Sequence, residues 1–376
     1  MGHRFALMTF EQSKYKLEFD QASEMRRKLK DEGIFWYPLP YHKRFSLIAT
    51  AFDCLSGVLR GIGIAIRHKP RVVHSRASIP AAIALAIAFV CRLKFLYDAD
   101  SRLSEEYADT GHWSRTGLAF RVTAWIEARA RNRANSIVVL SERLRLQFER
   151  EFLVRAPITV IPCCVAIDEF RYSSAVRDSR RAQLNLDDEK LLVYVGKTGS
   201  RYLVNEMFEF FRTAREKIGR LRLLILSADS PDSFQRIADE QAIPRTDYSV
   251  IRASRGEVSE WLSAADAGLA FIRSAGCETG SSPIKIGEYL AEGLPVVITS
   301  GIGDYSELIE RENLGVVIRD LDTDGYRECA DSLVRLWAEQ DRVRQHCQEA
   351  ARRYVSLDGI GAIRYRNVYE GLLAEA

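Results

Sequence analysis

The strongest constraint on this chain is a rhythm. Short β-branched and apolar runs alternate with helical patterns over residues 4–161 and again over residues 191–317, and the two series are separated by residues 162–172, which follow neither period. In the first series, strand-like runs at 4–10, 34–37, 72–74, 95–98, 136–140 and 159–161 are interleaved with helical stretches at 19–31, 47–68, 80–92, 118–133 and 141–152. The second runs from a strand at 191–195 to one at 315–317, and a long helical tail, broken near 357–361, follows from residue 325. Alternating β and α predicts parallel sheets covered by helices. Two series predict two doubly wound α/β domains facing a cleft, and 376 residues suit two domains at roughly 150 each. The expected division is 1–162 for the first domain, 163–185 for a linker, 186–355 for the second domain and 356–376 for a C-terminal helix packing back on the first. Ligands of such sheets sit beyond the carboxyl ends of the strands. Chemistry is therefore sought in the loops after His74, Asp98, Leu140, Val195, Leu226, Phe271 and Thr299.

Charge and cysteines narrow the classes. A net charge of +3 is too small to argue for nucleic acid. It is unevenly spread: residues 1–160 carry 26 basic and 16 acidic side chains, the remainder 28 and 35. A basic front half suits an anionic surface such as a membrane leaflet. Peripheral membrane contact is thus an expected partnership, with Arg121, Arg129, Arg131 and Arg133 contributing. The seven cysteines include no C-x-x-C pair and no metal-ligand spacing with the six histidines. No metal site is expected, and reduced thiols suit a cytoplasmic enzyme. Residues 1–10 contain no long apolar run, so no signal peptide is expected. The apolar stretch 80–91 falls short of the about 20 residues that span a bilayer and reads as a buried helix.

Most catalytic motifs fail. Gly196-Lys197-Thr198 is not a P-loop, because the position five before Gly196 is Leu191. Gly61-Ile62-Gly63 lies inside a helical pattern rather than after a strand. Neither H-E-x-x-H nor G-x-S-x-G occurs. The informative stretch runs from Ser281 to Val297. Ser282 reads as an N-cap and Pro283 as the first helical residue, so the helix start aims N–H groups and the positive dipole end at an anion. Lys285 opposes its own helix dipole in the first turn, which points to an anionic ligand. Glu288, three residues on, shares its face and suits sugar hydroxyls. Phosphate and hydroxyl groups at one helix end describe a nucleoside diphosphate. The plain alternative is a capped surface helix with a Lys–Glu pair.

Ser282-Pro283-x-Lys285-x-x-Glu288-Tyr289-x-Ala291-x-Gly293-x-Pro295-Val296-Val297 resembles the donor-site helix of glycosyltransferase family 4, which has the GT-B fold of two Rossmann-like domains. Other matching pieces follow the family's order: Val160-Ile161-Pro162 through Asp168-Glu169-Phe170, Val193-Tyr194-Val195-Gly196-Lys197, Ala264-Ala265-Asp266-Ala267-Gly268-Leu269, and the glycine turn from Gly301 to Glu307. The resemblance covers the C-terminal half well and the N-terminal half weakly. It implies a retaining, hexosyltransferase-type enzyme of cell-surface polysaccharide biosynthesis, with no obligatory metal or cofactor. A sugar would move from a nucleotide-diphosphate sugar to a glycan, lipid or small-molecule acceptor. Lys197 and Lys285 would act on the donor diphosphate beside Gly196 and Ser282, and Glu288 would hold the ribose. The loop holding Arg252, Ser254 and Glu257 would meet the base. In the N-terminal half, His74, Arg76, Asp98 and Arg102 are candidates for an acceptor pocket, each with a structural reading as a strand-end ion pair or cap.

Three departures from the family stand out. Gly280 occupies the position of its first glutamate, with Glu278 two residues off register, and Cys163-Cys164 replaces the usual Asn-Gly. The segment 4–10 looks like the family's second strand, so the first β-α unit is expected to be missing or supplied by a partner. A nucleotide-sugar epimerase of the same fold and a degenerate, non-catalytic binding subunit remain alternatives.

Overall fold

The computed structural model describes residues 3–12, 17–42, 47–199, 201–274, 276 and 280–374. The chain divides into two compact units. Unit 1 comprises Met1–Val139, Phe148–Thr159 and Arg366–Ala376, and unit 2 comprises Leu140–Gln147 and Val160–Tyr365.

The first series of elements is β1 (Phe5–Gln12), α1 (Phe19–Asp31), β2 (Ile34–Tyr41), α2 (Leu47–His68), β3 (Val72–Arg76), α3 (Ser78–Cys91), β4 (Lys94–Ala99), α4 (Leu103–Asp109), α5 (Leu118–Arg133), β5 (Ser136–Val139), α6 (Glu142–Glu151) and β6 (Ile158–Val160). All its strand pairs with a described register are parallel. The strands form two sheets: a β1–β2 ribbon, and a sheet of order β3-β4-β5-β6. Among the described residues β1 is hydrogen-bonded only to β2, so residues 4–10 do not form the centre of a continuous sheet. Burial follows this division. β5 is buried throughout and β4 everywhere but Lys94, whereas β1 and α1 contain no fully buried residue.

One apolar cluster ties the ribbon to the larger sheet. Met8 and Phe10 of β1 and Val73 of β3 pack around Ala65 of α2 and Ile83 and Ile87 of α3. Two glycines permit that approach: a Cβ at Gly57 would lie 2.8 Å from Ile83 Cδ1, and one at Gly61 would collide with Ile87. α2 inverts the usual amphipathic pattern. Its small residues Gly57, Gly61 and Ala65 face inward, while Ile48, Phe52, Leu55, Leu59 and Ile66 are exposed. By length and composition, Ile48–His68 suffices to cross a membrane, whereas the stretch at 80–91 belongs to the shorter α3. Arg131, expected at the surface with its neighbours, is buried instead, its guanidinium 3.7 Å from the Phe152 ring centroid.

The second series is α7 (Ser174–Gln183), β7 (Lys190–Val195), α8 (Val204–Ile218), β8 (Leu221–Leu226), α9 (Pro231–Glu240), β9 (Tyr248–Ile251), α10 (Arg255–Ala264), β10 (Ala267–Ala270), α11 (Ile284–Glu292), β11 (Val296–Thr299), α12 (Tyr305–Arg311), β12 (Gly315–Ile318), α13 (Thr323–Ala338) and α14 (Gln340–Tyr354), with α15 (Ala362–Ala374) after a single π turn at Leu357–Gly361. Its six strands form one parallel sheet, β12-β11-β10-β7-β8-β9. Near-continuous apolar runs such as Leu191–Tyr194 are what a sheet covered on both faces requires. The chain leaves β7 toward β8 and β9, then returns on its other side as β10, so the switch point lies between β7 and β10.

The expected linker is more structured than its sequence suggests. It contains α7, whose Arg177 donates to the Ser263, Ala264 and Ala265 carbonyls and to Asp266 Oδ1 at 2.8 Å. The fully buried Asp266 also accepts the Leu191 N–H at 2.8 Å and pairs with Arg181 and Lys190 at 3.6 and 3.7 Å. The Ala-Ala-Asp segment therefore clamps β7, β10 and α7 together.

Candidate donor site at the β7–β10 switch point

The site is built where β7 stops. The Gly196 N–H donates to the Leu226 carbonyl at 3.0 Å, turning the chain across the strand end. A side chain at 196 would force Tyr194 and Lys285 to shift: a Cβ there would lie 2.7 Å from Tyr194 Oη and 2.8 Å from Lys285 Nζ. Beneath the turn, Tyr289 of α11 accepts the Val195 N–H at 2.8 Å and donates to the Leu269 carbonyl at 3.2 Å, bridging β7 and β10. Gly268 makes room for that ring, since a Cβ there would overlap it.

Lys285 is the centre of the arrangement. It is buried in the first turn of α11, and its Nζ makes no hydrogen bond among the described residues. It lies 4.5 Å from the ring centroid of Tyr194 and 4.4 Å from that of Tyr202, a cation–π sandwich. Burial lowers its pKa from 10.5 to about 7, with Glu288 opposing the shift and Arg201 adding to it. Glu288 is half-buried, and burial raises its pKa against the pull of Arg255 and Lys285. At both ends of the pair, desolvation outweighs mutual attraction. The result is a desolvated cation and a carboxyl one turn apart at a helix N-terminus, a geometry suited to an anion with hydroxyls attached.

The other expected residues take varied places. Lys197 is exposed on the turn, whose backbone is fixed by Tyr194 Oη donating to the Lys197 carbonyl at 2.8 Å and by the Thr198 N–H donating to Asp229 Oδ2 at 2.7 Å. Ser282, expected as N-cap and ligand contact, is buried with its Oγ accepting the Cys163 N–H at 3.1 Å, and Pro283 takes the N-cap position. Arg252 is exposed. Ser254 and Glu257 are engaged with each other as the capping box of α10, with Ser254 Oγ donating to Glu257 Oε2 at 2.6 Å. A contact of this loop with a base, as the resemblance implies, would fall to its backbone and Arg252.

The departures also have physical explanations. A Cβ on the buried Gly280 would lie 3.0 Å from Leu144 Cβ, and the Gly280 carbonyl accepts from Ser141 Oγ at 2.8 Å. A glutamate at 280 would have to displace Leu144. Glu278 lies outside the described residues. The Cys164 thiol packs against Gly361 and is pushed up to about 11 by burial, the state of an inert thiol. Gly303, at φ +45, lies against the Ser281 backbone where a Cβ would overlap the carbonyl, so the glycine turn buttresses the loop before α11.

In unit 1, three of the four candidate acceptor residues meet at the ends of β3 and β4. Asp98 is buried, 3.2 Å from Arg76 Nη1 and 3.9 Å from His74 Nε2, and His74 Nδ1 lies 2.7 Å from the Tyr369 hydroxyl on α15. Arg102 is not part of this group and pairs with Glu151 at 2.8 Å and Glu105 at 3.6 Å. Sequence reasoning missed the two tyrosines around Lys285. It also missed the buried Glu127, which accepts from Ser78 Oγ at 2.8 Å and Ser104 Oγ at 2.7 Å. Only the aromatic residue next to the end of β7 offered a signal. Among the described residues no group of three or more His, Cys, Asp or Glu is arranged to hold a metal ion.

Comparison with known proteins agrees with this geometry. Residues 1–164 match the model of the glycosyl transferase 4-like domain, and residues 189–339 match that of the glycosyl transferases group 1. No curated protein is matched by sequence search. Among solved structures, sucrose-phosphate synthase from Thermosynechococcus elongatus superposes with a TM-score of 0.73 at 14% identity, covering 100% of both chains. HepE from Anabaena, solved in complex with UDP-glucose, gives 0.72 at 14%, covering 98% of this chain and 100% of that one. WaaG, a glycosyltransferase involved in lipopolysaccharide biosynthesis, gives 0.65 at 19% over 94% of each. The chain belongs to the family 4-like glycosyltransferases of the GT-B fold.

Proposed function

We propose that the protein is a retaining, hexosyltransferase-type enzyme that binds a nucleotide-diphosphate sugar at the β7–β10 switch point of unit 2. The sugar passes to a glycan, lipid-linked or small-molecule acceptor. One observation carries this reading: the buried ammonium of Lys285 beside Gly196, at the N-terminal turn of α11, has no hydrogen-bond partner among the described residues. A buried cation without an acceptor is costly unless a ligand supplies one.

The chemistry required of these residues is electrostatic. As the glycosidic bond opens, negative charge develops on the departing diphosphate. Lys285, the first N–H groups of α11 and the exposed Lys197 meet that charge, and they are positioned before the reaction begins. These fixed cations are the basis for proposing transfer without an obligatory metal. Glu288, one turn along α11, accepts from the ribose hydroxyls. His74, Arg76 and Asp98 form the acceptor-side polar group of unit 1. That HepE is solved with UDP and with UDP-glucose supports a uridine nucleotide as the first donor to test.

A thermal-shift panel of UDP-, GDP-, ADP- and CMP-sugars, followed by product analysis with and without EDTA, tests the reading. The expected result is stabilisation by one nucleotide series and EDTA-insensitive transfer with retained anomeric configuration. No shift with any series would refute the donor site, and release of free nucleotide without a glycosylated product would point to epimerisation.

A further inference from the structure

We infer that the outer face of α2 is a docking surface for an anionic lipid bilayer, with the helix lying in the headgroup–acyl boundary. The exposed side chains Ile48, Phe52, Leu55, Leu59 and Ile66 recur at three-, four- and seven-residue steps, which places them on one side of the helix, and they are 59–81% exposed. The opposite side, Gly57, Gly61 and Ala65, is pressed against α3 and β1. Large apolar groups outside and small ones inside reverse what water selects in a surface helix. Only 22% of the most apolar window of this helix is buried. A contiguous apolar face of that kind marks an interaction site.

Charge identifies the occupant. The only acidic residue of α2, Asp53, is buried and held by His42, with its Oδ1 2.6 Å from Nδ1 and its Oδ2 accepting the His42 N–H at 3.0 Å. The exposed charges left on the helix are Arg60 and Arg67, and Lys69 and Arg71 follow its end. α3, packed beside it, contains no charged residue. An apolar stripe bordered by cations alone is the pattern of a helix that partitions into an anionic interface. α5, which also packs on α3, repeats the chemistry with exposed Leu118, Val122 and Trp125 beside Arg121 and Arg129. Because α2 lies in unit 1 and the nucleotide site in unit 2, lipid binding and donor binding are separable properties.

The test is flotation of the full chain with vesicles of phosphatidylcholine, alone or mixed with phosphatidylglycerol, at low and high salt. Gel filtration of the same samples without lipid reports self-association. Wild type is expected to float with the anionic vesicles. The Leu55→Gln/Leu59→Gln variant should lose binding by about tenfold or more at either salt, from the lost apolar burial. Arg60→Glu/Arg67→Glu should lose the preference for anionic lipid while keeping the same melting temperature. Failure of wild type to float at low salt overturns the inference, as does flotation unchanged in the Leu55→Gln/Leu59→Gln variant. A dimer dissolved by that variant would assign the face to a second copy instead. Nucleotide binding serves as a control for folding, since both variants should retain it.

Discussion

Replacing Lys285 by methionine should make the empty protein more stable and a worse binder of nucleoside diphosphate. The lowering of the Lys285 pKa from 10.5 to about 7 corresponds to a cost on the order of 5 kcal/mol for keeping the ammonium charged in its buried place. Methionine of similar length removes that cost without opening a cavity. The sign follows from proton counting. Below about pH 7 the lysine is charged in both folded and unfolded chains and the full cost applies. As pH rises from about 7 toward 10.5, only the unfolded chain keeps the proton, so the cost shrinks and vanishes above that range. Urea melts of wild type and Lys285→Met at about pH 6 and about pH 9.5 should therefore show a gain in the variant that is larger at the lower pH. Calorimetry with UDP near pH 8 should show buffer-dependent proton uptake by wild type and a loss of about 1.5–3 kcal/mol of binding in the variant, the value of a charged hydrogen bond. A variant less stable than wild type at both pH values, binding UDP equally well, would refute the reasoning.

Three further changes probe the same unit. Glu288→Gln keeps its shape and loses its charge, so turnover should fall with the melting temperature unchanged; kinetics equal to wild type would remove Glu288 from the ribose site. Gly280→Glu, which installs the family's missing glutamate, should destabilise by about 1–3 kcal/mol through collision with Leu144 and should not raise activity, as read from urea melts and initial rates. Asp266→Asn leaves Arg177, Arg181 and Lys190 facing a neutral amide and should cost about 3–5 kcal/mol in the same melts.

Much of the fold is written in period. Strands that are buried on both faces, such as β7 and β10, appear as short apolar runs, and the break at Leu357–Gly361 coincides with the π turn between α14 and α15. The donor helix could be read because Lys285 and Glu288 stand at fixed spacing within a turn-and-cap pattern. Periodicity does not say which face of an amphipathic helix is covered, so the stretch 47–68 was recognisable as helix while its outward apolar side was not. Nor does it report contacts between distant segments. Tyr202 meets Lys285 across more than eighty residues, and the reason for glycine at 280 lies in Leu144 on α6. Ser282 illustrates a local rule overridden: it has the composition of a helix cap, but a linker N–H took its hydroxyl.

The separation of the β1–β2 ribbon from the β3–β6 sheet gives unit 1 a graded resistance to opening. β1, β2 and α1 together contain one fully buried side chain, Leu39, and no described hydrogen bond joins the ribbon to β3. Its attachment consists of side-chain contacts: Met8 and Phe10 against the glycine face of α2, Tyr37 hydrogen-bonded to His68 at 2.6 Å, and the Phe5 ring against Tyr369. Amide deuteration of residues 5–12 and 34–41 should therefore run ahead of that in β4 and β5, with the ribbon detaching as a single low-energy unit while the four-stranded sheet keeps its protons. The edges of β1 and β3 are already unpaired with one another, and each such opening strips away the apolar cover of Met8, Phe10 and Val73 between them, making this seam the place where unit 1 first recruits a foreign strand on heating.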